Sequence, residues 1–160
     1  MPEPASAADE PEVRQLTNRY LADGFYLKDL DGDLRRLEDF RGRVVLLNFW
    51  ATWCPPCREE MPSMQQLYQD RTDEGLTVVA VSVDRGSPEE VRAYVEELEL
   101  TFPVLHDRDN RVSDRYRIPG VPVSYLVDRR GRIAYKVLGS IDWSRESAIH
   151  AIEGLLEEAQ

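Results

Sequence analysis

The sequence predicts an α/β protein, a mixed central β-sheet flanked by helices on both faces. Residues 43–50 and 76–83 form two nearly continuous apolar runs, the pattern of strands buried on both faces. Each run is followed by a helix-start signal, Pro55-Pro56 after the first and Ser87-Pro88-Glu89-Glu90 after the second. Residues 123–138 then read as a β-hairpin ahead of a last helix. At 160 residues the chain suits one domain, with a core large enough to need no disulfide staples.

Taken in order, residues 1–12 are dominated by proline, alanine and acidic side chains and are expected to form a disordered tether, leaving 13–160 as the folded domain. They lack the basic start and apolar core of a signal peptide, so the protein is expected either to stay in the cytosol or to have lost a leader or anchor. No apolar run approaches the ~20 residues of a membrane span. Phe25-Tyr26-Leu27 and Leu34-Arg35-Arg36-Leu37 flank the turn signal Asp31-Gly32 and predict a small hairpin. The strand over 43–50 is interrupted only by Asn48, either a satisfied core amide or a group beside the site that follows.

The helix from Pro55 carries Met61, Met64, Leu67 and Tyr68 at helical spacing, with Pro62 expected to bend it. After the second strand, Ser87-Pro88-Glu89-Glu90 predicts a capping box opening a helix to about Leu98, with Val91, Tyr94, Val95 and Leu98 as its buried stripe. A charged helix is expected near Asn110 to Tyr116. Strands over Val123–Val127 and Ile133–Leu138 are joined through Asp128-Arg129-Arg130-Gly131. Asp142 or Ser144 would cap a final helix carrying Ile149, Ile152, Leu155 and Leu156.

Both cysteines of the chain fall in Trp53-Cys54-Pro55-Pro56-Cys57, directly after the first buried strand. A structural disulfide gains stability with the length of the loop it closes, and Cys54–Cys57 closes almost none. A structural zinc site wants four ligands, and beyond these thiols the chain offers only His106 and His150, neither in ligand spacing. Two cysteines between a strand and a helix fit the redox use of such a pair. Pro55 and Pro56 suit a first helical turn, which would set Cys54 at the positive end of the helix dipole and favour its thiolate. Cys54 is then the nucleophile, and Cys57, inside the first turn, the resolving thiol.

The net charge of −10 argues against nucleic acid and anionic membranes as partners. Trp53 would either shield the thiolate and contact substrate or simply pack, whereas Trp50, in the strand, reads as core. His106 reads as a loop residue, His150 as a partly exposed helical one, and Glu59 and Glu60 as acidic residues suited to a helix start. Two other chemistries fit a cysteine here. A peroxiredoxin would place threonine or serine three residues before a lone cysteine, where this chain has Ala51, and a metal-delivery module would hold Cu(I) between Cys54 and Cys57.

The run Asn48-Phe49-Trp50-Ala51-Thr52-Trp53-Cys54-Pro55-Pro56-Cys57-Arg58, with Ile118-Pro119-Gly120-Val121-Pro122-Val123 and the hairpin after it, resembles the TlpA/ResA-like branch of the thioredoxin superfamily. The likeness runs from about Phe25 to the C-terminus. It implies a thioredoxin fold with an N-terminal β-hairpin extension and an inserted helix-strand element. It also implies that Pro122 is a cis proline facing the cysteine pair, with the N–H and C=O of Val121 free to take an extended substrate segment as an added strand. Substrate binding would then fall to Trp53, Val121 and Pro122, with Pro55, Pro56 and Asn48 supporting.

The activity implied is thiol-disulfide exchange with disulfide-containing proteins, in the reducing direction, with the Cys54–Cys57 pair as the only redox group and no other cofactor or metal. The implied setting is the bacterial periplasm or cell envelope, with the cytoplasm as the alternative. Electrons would come from a membrane thiol transporter or another thioredoxin-like donor to a monomeric protein. Three positions depart from the wider pattern. Some thioredoxins have a titrating aspartate where Asn48 stands; some ResA-like proteins carry a glutamate near Asp84; and cytochrome-maturation reductases of the CcmG type often have glutamate where Val123 follows the proline. The last points away from a narrow cytochrome c maturation role.

Overall fold

The computed structural model describes residues 11–159, so the predicted tether lies outside the described residues except for Pro11 and Glu12. The Pro11 carbonyl already accepts a hydrogen bond from Arg145 Nη1 at 2.7 Å. Eight strands form one sheet: β1 (Arg14–Leu21), β2 (Tyr26–Asp29), β3 (Leu34–Arg36), β4 (Val44–Trp50), β5 (Leu76–Ser82), β6 (Val104–His106), β7 (Val123–Val127) and β8 (Arg132–Leu138). Their order across the sheet is β1-β8-β7-β4-β5-β6-β2-β3. β4, β5 and β6 run parallel, while β7 pairs antiparallel to β4 and every remaining pairing is antiparallel. The helices are α1 (Pro55–Arg71), α2 (Pro88–Glu97), α3 (Arg111–Arg115) and α4 (Glu146–Glu157).

β4 is buried along its whole length because both of its faces are covered. Side chains alternate along a strand, so Val44, Leu46 and Trp50 meet α1, α2 and α4 through Met61, Met64, Val91, Tyr94 and Ile152. On the other face Val45, Leu47 and Phe49 meet Phe25, Leu37, Phe40 and Val112. The two covers are unequal: three helices close one face, while α3, a 3-10 turn (Leu37–Phe40) and Phe25 from the segment before β2 close the other. The hairpin extension is β2–β3, and the inserted helix-strand element is α2 with β6.

The structure departs from the sequence reading at several local points. β1, an edge strand whose residues are exposed or half-buried throughout, was not expected, since it presents no apolar alternation. Ser87 precedes α2 in extended conformation but its side chain caps nothing, so the capping box is not formed. α4 opens at Arg145 without a side-chain cap, because Asp142 instead accepts from the N–H and O–H of Ser144. At Pro62, which is exposed, α1 is not interrupted and runs on to Arg71.

Candidate active site

Beyond Trp50 the chain turns over Ala51-Thr52-Trp53 into α1. Pro55 and Pro56 occupy its first positions, where N–H groups have no intrahelical acceptor and proline costs nothing. Cys54 is the N-cap: its backbone is extended and its Sγ accepts a hydrogen bond from the Cys57 N–H at 3.3 Å. The sulfur therefore takes the place a serine or aspartate oxygen usually fills, at the positive end of a 17-residue helix. Cys54 and Cys57 are joined as a disulfide. Cys57 is wholly buried and Cys54 is 4 % exposed, so solvent reaches the pair through Cys54, by a smaller opening than the sequence suggests.

The loop before β7 faces this sulfur. The Val121 carbonyl oxygen lies 3.7 Å from Cys54 Sγ, and the Val121–Pro122 peptide is cis. Trp53 is 67 % exposed, which removes the packing reading for its indole. Trp50 is core, its ring 4.9 Å from that of Tyr94 on α2. Arg58 lies over the same tyrosine ring and pairs with Glu97 at 2.6 Å, tying the first turns of α1 to α2.

Beneath the thiols sits a residue the sequence reading assigned only to helix-start electrostatics. Glu60 is 1 % exposed, one turn beyond Cys57 on the same helix. Its Oε1 accepts from Asn48 Nδ2 at 2.8 Å, and its Oε2 from the Ile141 N–H and the Trp143 indole N–H, each at 3.3 Å. Asn48 also donates to the Ser124 hydroxyl at 2.8 Å. Burial pushes the Glu60 carboxyl up to about 7, against the opposing pull of hydrogen bonds from Asn48, Ile141 and Trp143. Asn48 cannot titrate, but the carboxyl it holds can. One sequence signal was available: Cys57, Met61, Met64 and Leu67 define the buried stripe of α1, and Glu60 falls within it.

Of the remaining candidates, Glu59 and His150 are exposed on their helices. His106 is not in a loop but on β6, buried, with Nε2 donating to the Asp84 carbonyl at 2.7 Å. Asp84 is itself 3 % exposed and bonded to the turn before Cys54.

Residues 20–136 match the AhpC/TSA family. Among curated proteins the chain is similar to the thiol-disulfide oxidoreductase ResA of Oceanobacillus iheyensis, 40% identical over 131 residues, which is 82% of this chain and 65% of that protein's length. ResA of Geobacillus thermodenitrificans is 40% identical over 121 residues, 75% of this chain and 68% of its own. Among solved structures, the thioredoxin domain of a thiol-disulfide oxidoreductase from Bacteroides vulgatus superposes with a TM-score of 0.76 at 30% identity, covering 88% of this chain and 99% of that one.

Proposed function

The chain belongs to the AhpC/TSA family and, within it, to the ResA-like thiol-disulfide oxidoreductases, and from that premise we propose that it exchanges disulfides with other proteins through a mixed disulfide on Cys54. The observation that carries this reading is the setting of one sulfur. Cys54 Sγ caps α1, faces the Val121 carbonyl, and has Cys57 directly behind it.

In the reducing direction the Cys54 thiolate attacks a substrate sulfur, the substrate S–S bond breaks, and one substrate thiolate leaves. The Cys57 thiolate then attacks Cys54 Sγ, expelling the second substrate thiolate and closing the Cys54–Cys57 disulfide. Two electrons pass to the substrate and none to any other group, so the cysteine pair serves as its own redox centre. Cys57 must lose its proton for the second attack, and Glu60, one turn away with a carboxyl near neutral pKa, is the group suited to take it. Val121 offers backbone polar groups to an extended substrate segment, and Trp53 offers an exposed apolar face beside it.

The reading extends to net reduction of substrates in the bacterial envelope, fed by a membrane thiol transporter or another thioredoxin-like donor, and the similarity to ResA supports it. No described helix is long and apolar enough to cross a membrane. The test is a trap: with Cys57→Ala the second attack cannot occur, so proteins expressed in the same host should accumulate disulfide-linked to Cys54. An empty trap, with Cys54 titrating like a free thiol, would overturn the reading.

A further inference from the structure

The turn from β4 into α1 presents both Cys54 and Trp53, yet its own internal ties are few. The Cys54 N–H reaches the Ala51 carbonyl at 3.3 Å, and the Trp50 carbonyl accepts from the Val83 N–H at 2.8 Å. What holds the middle of the turn is Asp84, just past β5. Its carboxylate accepts from the Thr52 N–H at 3.0 Å, from the Thr52 hydroxyl at 2.5 Å and from the Ser82 hydroxyl at 2.6 Å. Its own N–H donates to Ser82 Oγ at 3.1 Å, and its carbonyl accepts from His106. Asp84 is thus fixed by β5 and β6, and every remaining bond of its carboxylate goes to Thr52. Hydrogen bonds to a buried ionised acceptor are the strong ones.

Trp53, the next residue, has its indole in water, so the backbone of the turn fixes where that ring points. Trp53 lines an open groove together with Thr52, Asp84, Glu90 and Asn110. A small disulfide needs only the sulfur of Cys54. A protein segment laid along Val121 and Trp53 needs the turn held as well.

Resting on the oxidoreductase reading, we propose that Asp84 is a positioning residue which, through Thr52, sets the presentation of Trp53 beside Cys54 and so favours protein disulfides over small ones. The test measures kcat and KM for insulin and for cystamine with wild type, Asp84→Ala, Asp84→Asn and Thr52→Val, each per titrated Cys54 thiol and well below the thermal midpoint. In Asp84→Ala, kcat/KM for insulin should fall about tenfold, mainly through KM, which equals about 1.4 kcal/mol or one such hydrogen bond. Cystamine should change less than twofold. Asp84→Asn, which keeps an acceptor for the Thr52 N–H, should recover most of the loss, and Thr52→Val should show the same substrate split more weakly.

Should Asp84→Ala fail to fold, Thr52→Val carries the comparison, since it removes only a hydroxyl. Equal losses on both substrates, or wild-type values on both, would overturn the role of Asp84 while leaving disulfide exchange intact. Absence of insulin reduction by the wild type itself would instead take away the oxidoreductase reading, and the proposal with it.

Discussion

Glu60, beneath the thiols, and Asp128, at the far end of β7, are both almost wholly buried, at 1 % and 2 % exposed, and their carboxyls move in opposite directions. Glu60 is pushed up to about 7 by burial, because its partners are an amide, a backbone N–H and an indole, all neutral. At Asp128 burial also pushes upward, but the Arg132 N–H, the side chains of Arg19 and Arg132, and the Arg130 N–H together outweigh it and hold the group below its ordinary value. Two of those donors are guanidinium groups, at 3.0 and 2.9 Å. Partner charge, not depth, separates a carboxyl that can change protonation near neutral pH from one that stays ionised. The five residues of β7, about 17 Å of chain, join the two regions, with Pro122 at the thiol end and Asp128 closing the turn at the other.

The largest effect should come from breaking the structural partner. Asp128→Ala removes the acceptor that Arg19, which keeps Glu158, shares with Arg132 and the Arg130 and Arg132 N–H groups, and should cost about 3 kcal/mol in denaturant unfolding, with no change in exchange rate per folded molecule. A comparable loss of exchange would erase the distinction between the regions. Because the folded pKa of Asp128 is lowered, its stabilisation is full above the unfolded value and lost as pH falls through the folded one. An acid titration of stability should therefore lose a limb in the Asp128→Asn variant.

Glu60 carries the opposite sign. Its folded pKa of about 7 lies above the ordinary 4.5, so the folded state keeps a proton that the unfolded chain has given up. Stability should fall as pH rises through that window, by up to about 3 kcal/mol, and level off on either side. Glu60→Gln should flatten this slope, seen as similar denaturation midpoints at pH 5 and 8 where wild type differs. It should also slow the resolving step on the order of a hundredfold in single-turnover measurements. A variant that flattens the slope and leaves the rate alone would make Glu60 a structural group only. The smallest change is Ser124→Ala, which strips one acceptor from Asn48 and should cost about 1 kcal/mol.

Much of the fold was legible because its signals are local. The apolar runs of β4 and β5, the prolines opening α1 and the glycine turn between β7 and β8 each declare themselves within a few residues. The cysteines were legible through their spacing, and the Val121-Pro122 loop through the resemblance to the TlpA/ResA-like proteins. The partners of Glu60 were not, since Ile141 and Trp143 lie some 80 residues along the chain and meet it only when α4's approach packs onto α1. β1 escaped because an edge strand of exposed and half-buried residues carries no alternation to read. The caps at Ser87 and Asp142 show the converse: correct residue types, whose side chains found other bonds or none.

The three indoles of this chain are distributed very unevenly, two sealed in the core and the third, Trp53, open to water beside Cys54. A dissolved collisional quencher such as iodide will therefore reach essentially a single emitter. Light from that emitter will report a docked substrate or a displaced turn with no label added, against a constant background from the two it cannot touch.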